Sequence, residues 1–241
     1  MEITVVFAAY NEEKNVEATI TRALDALRAQ FERFEIIIVE DASRDATAAI
    51  CDRLAAAHDE IRVLHNPKNM GQGASLVRGF QQARYEFVTH NAMDYPFDLR
   101  DLGGMMTLLQ EADIVVAARK SRAGYSAYRV LTSWVHRTLL HLLFPLRLRD
   151  YNFVQVYART VWQAVKVEAR STAFLTPEAL IRAHDMGYRI REVEVEYHPR
   201  TAGAATSGKP KVILHSLRDM FLFWWQRTRR RTPRAGAKLR E

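Results

Sequence analysis

The sequence has a single cysteine, Cys51, among its 241 residues. One cysteine excludes a disulfide framework and a cysteine-rich metal site, and it is typical of a reducing compartment. The sequence also has no internal repeat. Its longest apolar runs, such as that at 220–225, have six residues. A helix needs about 18 consecutive apolar residues to span a bilayer. These absences argue against repeat proteins, secreted disulfide scaffolds and membrane-spanning helices.

The net charge is close to zero over most of the chain. The formal net charge is +7, but residues 227–241 alone carry seven basic side chains and one acid. A nucleic-acid-binding domain needs a basic face on the folded domain itself, so we expect no nucleic-acid partner. A basic segment beside a nearly neutral body favours contact with an anionic membrane surface.

No basic region with a cleavable apolar segment precedes the first predicted strand, so we expect no secretory signal. We therefore expect a cytoplasmic protein that is soluble or peripheral on the cytoplasmic face of the membrane.

The first half of the chain alternates short β-branched runs with helical patterns, which is typical of βαβ units on a mostly parallel sheet. Strands are predicted at residues 3–8, 35–39, 61–65, 87–90 and 114–117, and helices at 12–30, 45–57, 74–83 and 99–110. The second half predicts helices at 127–148, 177–186 and 211–228 and a half-exposed strand at 190–197. Pro177 is expected in the first turn of its helix.

Polar side chains follow each of the five early strands. Each is common in turns and helix caps, but in an open α/β sheet ligands bind at the carboxyl ends of the strands. Five polar sets at that edge predict a ligand cleft. These sets include Tyr10, Asn11 and Glu12, then Glu40, Asp41, Ser43 and Asp45, then Asn66, Asn69, Gly71 and Gly73, then Asn91 and Asp94, and finally Arg119.

In this order, the motifs resemble family-2 glycosyltransferases of GT-A fold, especially polyprenyl-phosphate sugar synthases of the dolichol-phosphate mannose synthase type. The resemblance rests on residues 9–12, 39–47 and 69–74, on Gly79 and Arg119, and on Pro199-Arg200 with Gly203 and Ser207. It covers about residues 1–215. It implies a GT-A (Rossmann-like) nucleotide-sugar-binding domain over residues 1–212, followed by an amphipathic interfacial helix at 213–228 and a disordered basic tail at 229–241.

The implied activity is that of an inverting hexosyltransferase, which moves a sugar from a UDP- or GDP-sugar to a polyprenyl phosphate for a cell-envelope glycan. The resemblance places the nucleotide among Ala9, Tyr10, Glu12, Asp41, Gly71 and Gly73. It places the acceptor phosphate among Arg119, Arg129 and Ser133, and the donor diphosphate near Arg200 with Lys209 or Lys211. The implied catalytic group is Asp94, Asn91, Arg119 and Arg200.

The fourth strand departs from the family pattern. The family's Asp-x-Asp falls on Asn91 and Met93, and Asp94 is displaced by one residue. Hard cations prefer oxygen ligands, and one amide with one carboxylate is a weaker set than two carboxylates. Three alternatives stay open: Mg²⁺ or Mn²⁺ held by Asp94 with Asn91 assisting, metal-independent transfer that relies on cationic side chains, or loss of activity.

The acceptor also has alternatives. A phosphate is already anionic and needs little base catalysis, so stabilisation of the leaving group would dominate the barrier. A saccharide or other hydroxyl acceptor would need a carboxylate base, for which Asp150, Glu178 and Asp185 are the candidates. The altered Asp-x-Asp motivates a third hypothesis, a non-catalytic nucleotide-sugar-binding scaffold at the membrane.

Two segments of the second half are amphipathic. The stripe at residues 135–146 is equally compatible with core packing and with membrane contact. In the stripe at residues 214–225, the paired Trp224 and Trp225 precede an arginine cluster. This combination favours an interfacial helix on an anionic membrane.

Overall fold

The computed structural model describes residues 1–121, 125–169, 171–197 and 210–231, with the backbone alone at residues 211, 230 and 231. Strands in this part of the chain are β1 (Ile3–Ala9), β2 (Phe34–Glu40), β3 (Ile61–His65), β4 (Phe87–Asn91), β5 (Ile114–Arg119), β6 (Gln155–Ala158) and β7 (Ile190–Val195). Its α-helices are α1 (Val16–Arg28), α2 (Thr47–Ala57), α3 (Gln72–Gln81), α4 (Leu102–Leu108), α5 (Ala127–Leu143), α6 (Arg159–Ala164), α7 (Thr172–Asp185) and α8 (Pro210–Arg231).

The strands form one sheet in the order β3-β2-β1-β4-β6-β5-β7. The pairs β1/β2, β2/β3, β1/β4 and β5/β7 are parallel, whereas β6 is antiparallel to both β4 and β5. Ala9 pairs with Glu40, and Phe7 pairs with Asn91. The carboxyl ends of β1, β2 and β4 therefore lie at one edge of the sheet, as the sequence predicts.

Both faces of the sheet are covered by helices. Val5 and Phe7 of β1 pack in the cluster that contains α1 and α4, whereas Val6 packs in the cluster that contains α3 and α7. All seven residues of β2 are buried. A strand buried on both faces needs a continuous apolar run, which is why residues 36–39 are Ile-Ile-Ile-Val.

Gly79 allows α3 to approach β1 closely. A Cβ atom at this position would lie 2.3 Å from Val6 Cγ1 and 3.2 Å from Val39 Cγ2. Any larger side chain would have to move the helix away from the sheet. The close packing of α3 fixes its first residue, Gln72, and the loop before it, which ends at Gly71.

Several predicted boundaries in the second half are wrong. Helix α5 ends at Leu143 and not at residue 148, because Pro145 removes a backbone donor and disfavours helical geometry just before it. Helix α7 begins at Thr172, so Pro177 lies inside it and not in its first turn. Packing of the buried Phe174 and Leu175 extends the helix one turn beyond the start that the proline suggests.

The sequence analysis missed β6 and α6. Only four residues form β6 and six form α6, which is too short for a periodic pattern to be distinct.

Helix α8 packs along α7. Its Met220 and Phe223 are buried, and the Phe223 ring centroid lies 5.6 Å from that of Phe144 and 5.9 Å from that of Phe174. The helix extends beyond the predicted 213–228 at both ends. The proposed division into a domain, an interfacial helix and a tail stays a prediction, and residues 232–241 of the tail lie outside the described residues.

No helix in the described ranges combines the length and the apolar character needed to cross a bilayer.

Candidate functional site

A cavity of about 650 Å³ opens where β4 and β5 end, between these strands and helices α5, α7 and α8. Four residues predicted to bind or transfer the substrates line it, namely Asn91, Arg119, Arg129 and Ser133, and so does the candidate base Asp150. Its apolar lining comes mainly from the three helices and includes Leu131, Val135, Leu175, Val212, Ile213 and Leu217. The cavity therefore combines a polar end at the sheet with an apolar wall between helices.

Arg119, the last residue of β5, lies largely buried against an acid. Its Nε and Nη2 donate to Asp150 Oδ2 and Oδ1 at 2.6 and 2.8 Å, and Nη1 donates to the Tyr125 hydroxyl at 2.5 Å. Burial by itself would lower the pKa of Arg119, but the Asp150 carboxylate outweighs it and raises the pKa. Arg119 is thus already paired with Asp150, and its contact with the acceptor phosphate stays a prediction.

Arg129 is the better placed cation. It lies in the first turn of α5, where the Ser126 side chain accepts from the Arg129 backbone N–H at 3.3 Å and caps the helix. The guanidinium stacks over the Tyr125 ring, 3.9 Å from its centroid, and pairs with no carboxylate among the described residues. Ser133 lies one turn further along and lines the same cavity.

Asp41, predicted to bind the base, follows β2 and is almost completely buried. Its Oδ1 accepts from Asn66 Nδ2 at 2.6 Å and from the Met70 N–H at 2.8 Å, and its Oδ2 accepts from the Gly71 N–H at 2.8 Å. The carboxylate therefore fixes the loop after β3, where Gly71 has a φ of 84°. A carboxylate accepts about four hydrogen bonds, so base recognition by Asp41 stays a prediction.

The loops after β1 and β2 hold each other. The Asn11 N–H donates to Ser43 Oγ at 3.1 Å, and Asn11 Oδ1 accepts from the Arg44 N–H at 2.9 Å. Asn11 and Ala42 have φ values of 53° and 57°, a conformation that non-glycine residues rarely adopt and that concentrates at functional sites. The half-exposed Tyr10 lies beside this paired loop.

Two predicted nucleotide contacts have structural roles here. The Glu12 carboxylate accepts from Asn15 Nδ2 at 2.7 Å at the start of α1. A Cβ atom on Gly73 would lie 3.2 Å from Leu175 Cδ1, so the missing side chain lets α3 pack against α7.

The 650 Å³ cavity is lined by Gln72 but not by seven of the predicted site residues, namely Ala9, Tyr10, Glu12, Asp41, Gly71, Gly73 and Asp94. The predicted residues thus form two groups at one edge of the sheet, and Gln72 lies between them. Arg200 and Lys209 lie outside the described residues, and only the backbone of Lys211 is described, in the first turn of α8.

Residues 4–168 match the family model of glycosyl transferase family 2. The chain belongs to this family. Glycosyltransferase AglD of Haloferax volcanii is 29% identical to it over 95% of this chain and 38% of its own length. Dodecaprenyl-phosphate galacturonate synthase of Rhizobium johnstonii is 27% identical over 92% of this chain and 67% of its own length. The chain thus spans about two fifths of the first relative and two thirds of the second.

The structure is similar to glucosyl-3-phosphoglycerate synthase from Mycobacterium tuberculosis in complex with Mn²⁺, UDP and phosphoglyceric acid. The TM-score is 0.70 at 17% identity, over 92% of this chain and 78% of the other. The GT-A architecture predicted for this family-2 glycosyltransferase is confirmed, with its mixed α/β layers and mostly parallel sheet.

The fourth strand of this family-2 member does not present a carboxylate cluster for a divalent cation. Asn91 Nδ2 donates to the Phe97 carbonyl at 2.8 Å, and Asn91 Oδ1 accepts from the Ala92 N–H at 3.0 Å. Met93 is buried, and Asp94 is half-buried. No group of three His, Cys, Asp or Glu side chains suited to a metal occurs among the described residues. These residues do not fit the oxygen-rich ligand set that Mg²⁺ or Mn²⁺ prefers.

The three carboxylates considered as a base are all engaged in ion pairs in this family member. Asp150 pairs with Arg119. Glu178 is buried, pairs with Arg182 and accepts from the N–H groups of residues 168 and 169. Asp185 pairs with Arg227. None of the three is held ready to accept a proton from a hydroxyl group.

Two histidines that the sequence analysis did not single out also line the cavity. Burial lowers the pKa of His90 and of His136 to about 4, so both rings are neutral at pH 7. Ser216 Oγ of α8 lies 3.2 Å from His136 Nε2 of α5 and connects the two helices. His90 directly precedes Asn91 at the carboxyl end of β4, so its position in the sequence could have indicated a site residue. Nothing in the sequence links His136 to Ser216.

Proposed function

We propose that this chain transfers a sugar from a nucleotide-diphosphate sugar to a polyprenyl phosphate, with inversion at the anomeric carbon. The observation that carries the proposal is the cavity in which Arg129 lies at the polar end and α5 and α8 supply an apolar wall. A lipid phosphate has these two parts, an anionic head and an apolar chain. The relative from Rhizobium johnstonii is named for a dodecaprenyl-phosphate product, which supports this acceptor class.

The size of the cavity supports the same conclusion. Cavities of about 300–1,000 Å³ enclose drug-sized ligands, so about 650 Å³ is far more than a phosphate group occupies. The remaining space lies along Leu131 and Val135 of α5 and Ile213 of α8. We propose that it receives the first prenyl units of the acceptor.

The acidic groups favour a phosphate over a hydroxyl acceptor. Among the described residues that line the cavity, Asp150 is the sole carboxylate, and it is held in a bidentate pair with Arg119. A phosphate oxygen attacks C1 without first losing a proton to a base. Transfer to a phosphate therefore fits a site whose lining carboxylate is already neutralised.

The donor would bind at the neighbouring loops after β1, β2 and β3. We propose that Tyr10 and Asp41 contact the nucleotide and that Arg200 and Lys209 or Lys211 meet its diphosphate. A UDP- or a GDP-sugar is compatible with an acidic group that accepts from a base N–H. The chain would work as a peripheral protein on the cytoplasmic face of the membrane, held by α8 and the basic tail. Dependence on Mg²⁺ or Mn²⁺ stays a prediction.

Purified protein should release nucleoside diphosphate from a UDP- or GDP-sugar when polyprenyl phosphate is added. Release is measured for each donor with Mg²⁺, with Mn²⁺ and with EDTA, and the lipid product is identified by mass spectrometry. Polyprenol without phosphate is the matched acceptor control. Release with a hydroxyl acceptor but not with the phosphate, or nucleotide binding with no turnover under any condition, would overturn the proposal.

Replacing Arg129 by alanine should raise the KM for polyprenyl phosphate about 10- to 100-fold, because hydrogen bonds to charged groups contribute about 1.5–3 kcal/mol. The affinity for the nucleotide, measured by calorimetry, should not change. The KM of Arg129→Lys should lie between those of the wild type and Arg129→Ala, since lysine keeps the charge but loses the bidentate geometry. Arg218→Ala is the control, because this exposed α8 arginine lies outside the cavity. An unchanged KM in Arg129→Ala would remove Arg129 from the acceptor site.

A further inference from the structure

Tyr125 lies between the two arginines at the polar end of the cavity. It precedes α5 and lines the cavity together with Arg119 and Arg129. Its hydroxyl accepts from Arg119 Nη1 at 2.5 Å, and its ring centroid lies 3.9 Å from the central carbon of the Arg129 guanidinium. One side chain therefore contacts a largely buried cation with its hydroxyl and a second cation with its ring.

The protein holds Tyr125 at both its hydroxyl and its ring. The hydroxyl's partner, Arg119, is 13% exposed and is bound by both carboxylate oxygens of Asp150, which is 5% exposed. The Tyr197 ring packs against the Tyr125 ring at an interplanar angle of 86°, with the centroids 5.7 Å apart. This is the edge-to-face geometry that aromatic pairs favour. These contacts leave the Tyr125 ring little freedom to turn.

The Arg129 side chain depends on this ring for its order. Its guanidinium makes no hydrogen bond or ion pair among the described residues, and the Tyr125 ring is its aromatic contact. A long arginine side chain loses much conformational entropy when it is fixed, so a free one is poorly prepared for a ligand. An aromatic ring attracts the guanidinium through its face and leaves the N–H groups at the guanidinium edge free. The ring can therefore order Arg129 without using the hydrogen bonds that a phosphate needs.

Asp150 makes it possible for two arginines to share one tyrosine. Unpaired, the charges of Arg119 and Arg129 would repel each other across the Tyr125 side chain. The Asp150 carboxylate pairs with Arg119 and lessens this repulsion. Asp150, Arg119, Tyr125 and Arg129 thus form a continuous series of contacts from a buried acid to a cation that lines the cavity.

We propose that Tyr125 is the positioning residue of the acceptor site. Its ring holds the Arg129 guanidinium by one face with the N–H edge towards the acceptor phosphate, and its hydroxyl is held in turn by Arg119 and Asp150. An acid in the place of Tyr125 would also hold Arg129, but it would occupy the N–H groups and cancel the charge. The proposal rests on the proposed function, in which Arg129 binds the phosphate of the acceptor.

Calorimetric titration of the full chain with farnesyl phosphate, a short polyprenyl phosphate, tests the proposal without donor or turnover. Tyr125→Leu should raise the Kd about fivefold, the size of a cation–π contact at a partly exposed site. Tyr125→Phe keeps the ring and should raise the Kd about twofold at most. Tyr128→Leu is the matched control, because Tyr128 is an exposed α5 tyrosine outside the cavity, and its Kd should equal that of the wild type. Thermal melting confirms that the variants fold.

A double-mutant cycle with Arg129→Ala separates positioning from packing. If Tyr125 acts through Arg129, Tyr125→Leu should raise the Kd no further once residue 129 is alanine. A fivefold loss that persists in the Arg129→Ala background would mean that Tyr125 acts on the ligand or the fold directly, and it would overturn the proposal.

Two further outcomes distinguish this proposal from the proposed function. An unchanged Kd of Tyr125→Leu beside a raised Kd of Arg129→Ala would overturn the positioning role and leave the acceptor site intact. Equal binding by the wild type and Arg129→Ala, or no binding by the wild type, would contradict the acceptor site and the positioning role together.

Discussion

Replacing Asp41 by alanine is expected to abolish nucleotide binding and to destabilise the fold by roughly 3 kcal/mol. The buried carboxylate accepts three hydrogen bonds, from Asn66, Met70 and Gly71. Each hydrogen bond to a charged group contributes about 1.5–3 kcal/mol, and the part-buried N–H groups of Met70 and Gly71 would lose their acceptor. The loop after β3 would lose its conformation together with the proposed base contact.

Calorimetric titration with UDP and GDP measures the first effect, and urea unfolding measures the second. Asp52→Ala is the control, because it removes the same charge from an exposed site on α2. Asp41→Asn separates the two roles, since its amide keeps the shape of the side chain but offers one acceptor oxygen in place of two. If Asp41→Ala binds both nucleotides as the wild type does, Asp41 has no role in the donor site.

Replacing Asp150 by alanine should destabilise the protein by about 3–5 kcal/mol, because the change leaves the Arg119 charge buried without its partner. The side chains of Arg119 and Asp150 are 13 and 5% exposed, so water replaces little of the lost interaction. Arg119→Met should have a similar effect, since it leaves the buried carboxylate alone.

The double variant Arg119→Met with Asp150→Leu tests this explanation. Removing both charges should recover much of the stability that either single change loses, and urea unfolding of the four proteins gives the coupling free energy. Additive losses would mean that the pair does not act as a unit. The exposed pair of Arg53 and Glu17 serves as the control cycle, where we expect a coupling of at most about 1 kcal/mol.

The strands β1 and β2 could be predicted because they are buried on both faces and carry nearly continuous apolar runs. The strand at residues 190–197 was predictable from its strict alternation, and β7 shows it as a half-exposed edge strand. The start of α7 was not predictable. Local chemistry places a helix start at Pro177, whereas tertiary packing of Phe174 and Leu175 determines the actual one.

The sequence could indicate which strand ends lie at the cavity, but not the charge pairs within it. The carboxyl ends of strands and the family resemblance bring out Asn91, Arg119 and Arg129. Neither the strand ends nor the resemblance shows that Asp150, 31 residues further along, pairs with Arg119. Neither shows that the Arg129 guanidinium stacks on the Tyr125 ring. The pairing of Arg119 with Asp150 depends on the path of the chain between them, which includes α5 and the start of the connection from α5 to β6.

The reversed direction of β6 determines where changes in chain length would alter the cavity of this family-2 member. In a strand that runs against its neighbours, the beginning and not the end faces the cavity, so residues 150–154 enter the site before the strand starts. Insertions or deletions in the connection from α5 to β6 would reshape the cavity directly. Changes just after Ala158 would fall at the opposite rim of the sheet, away from the cavity.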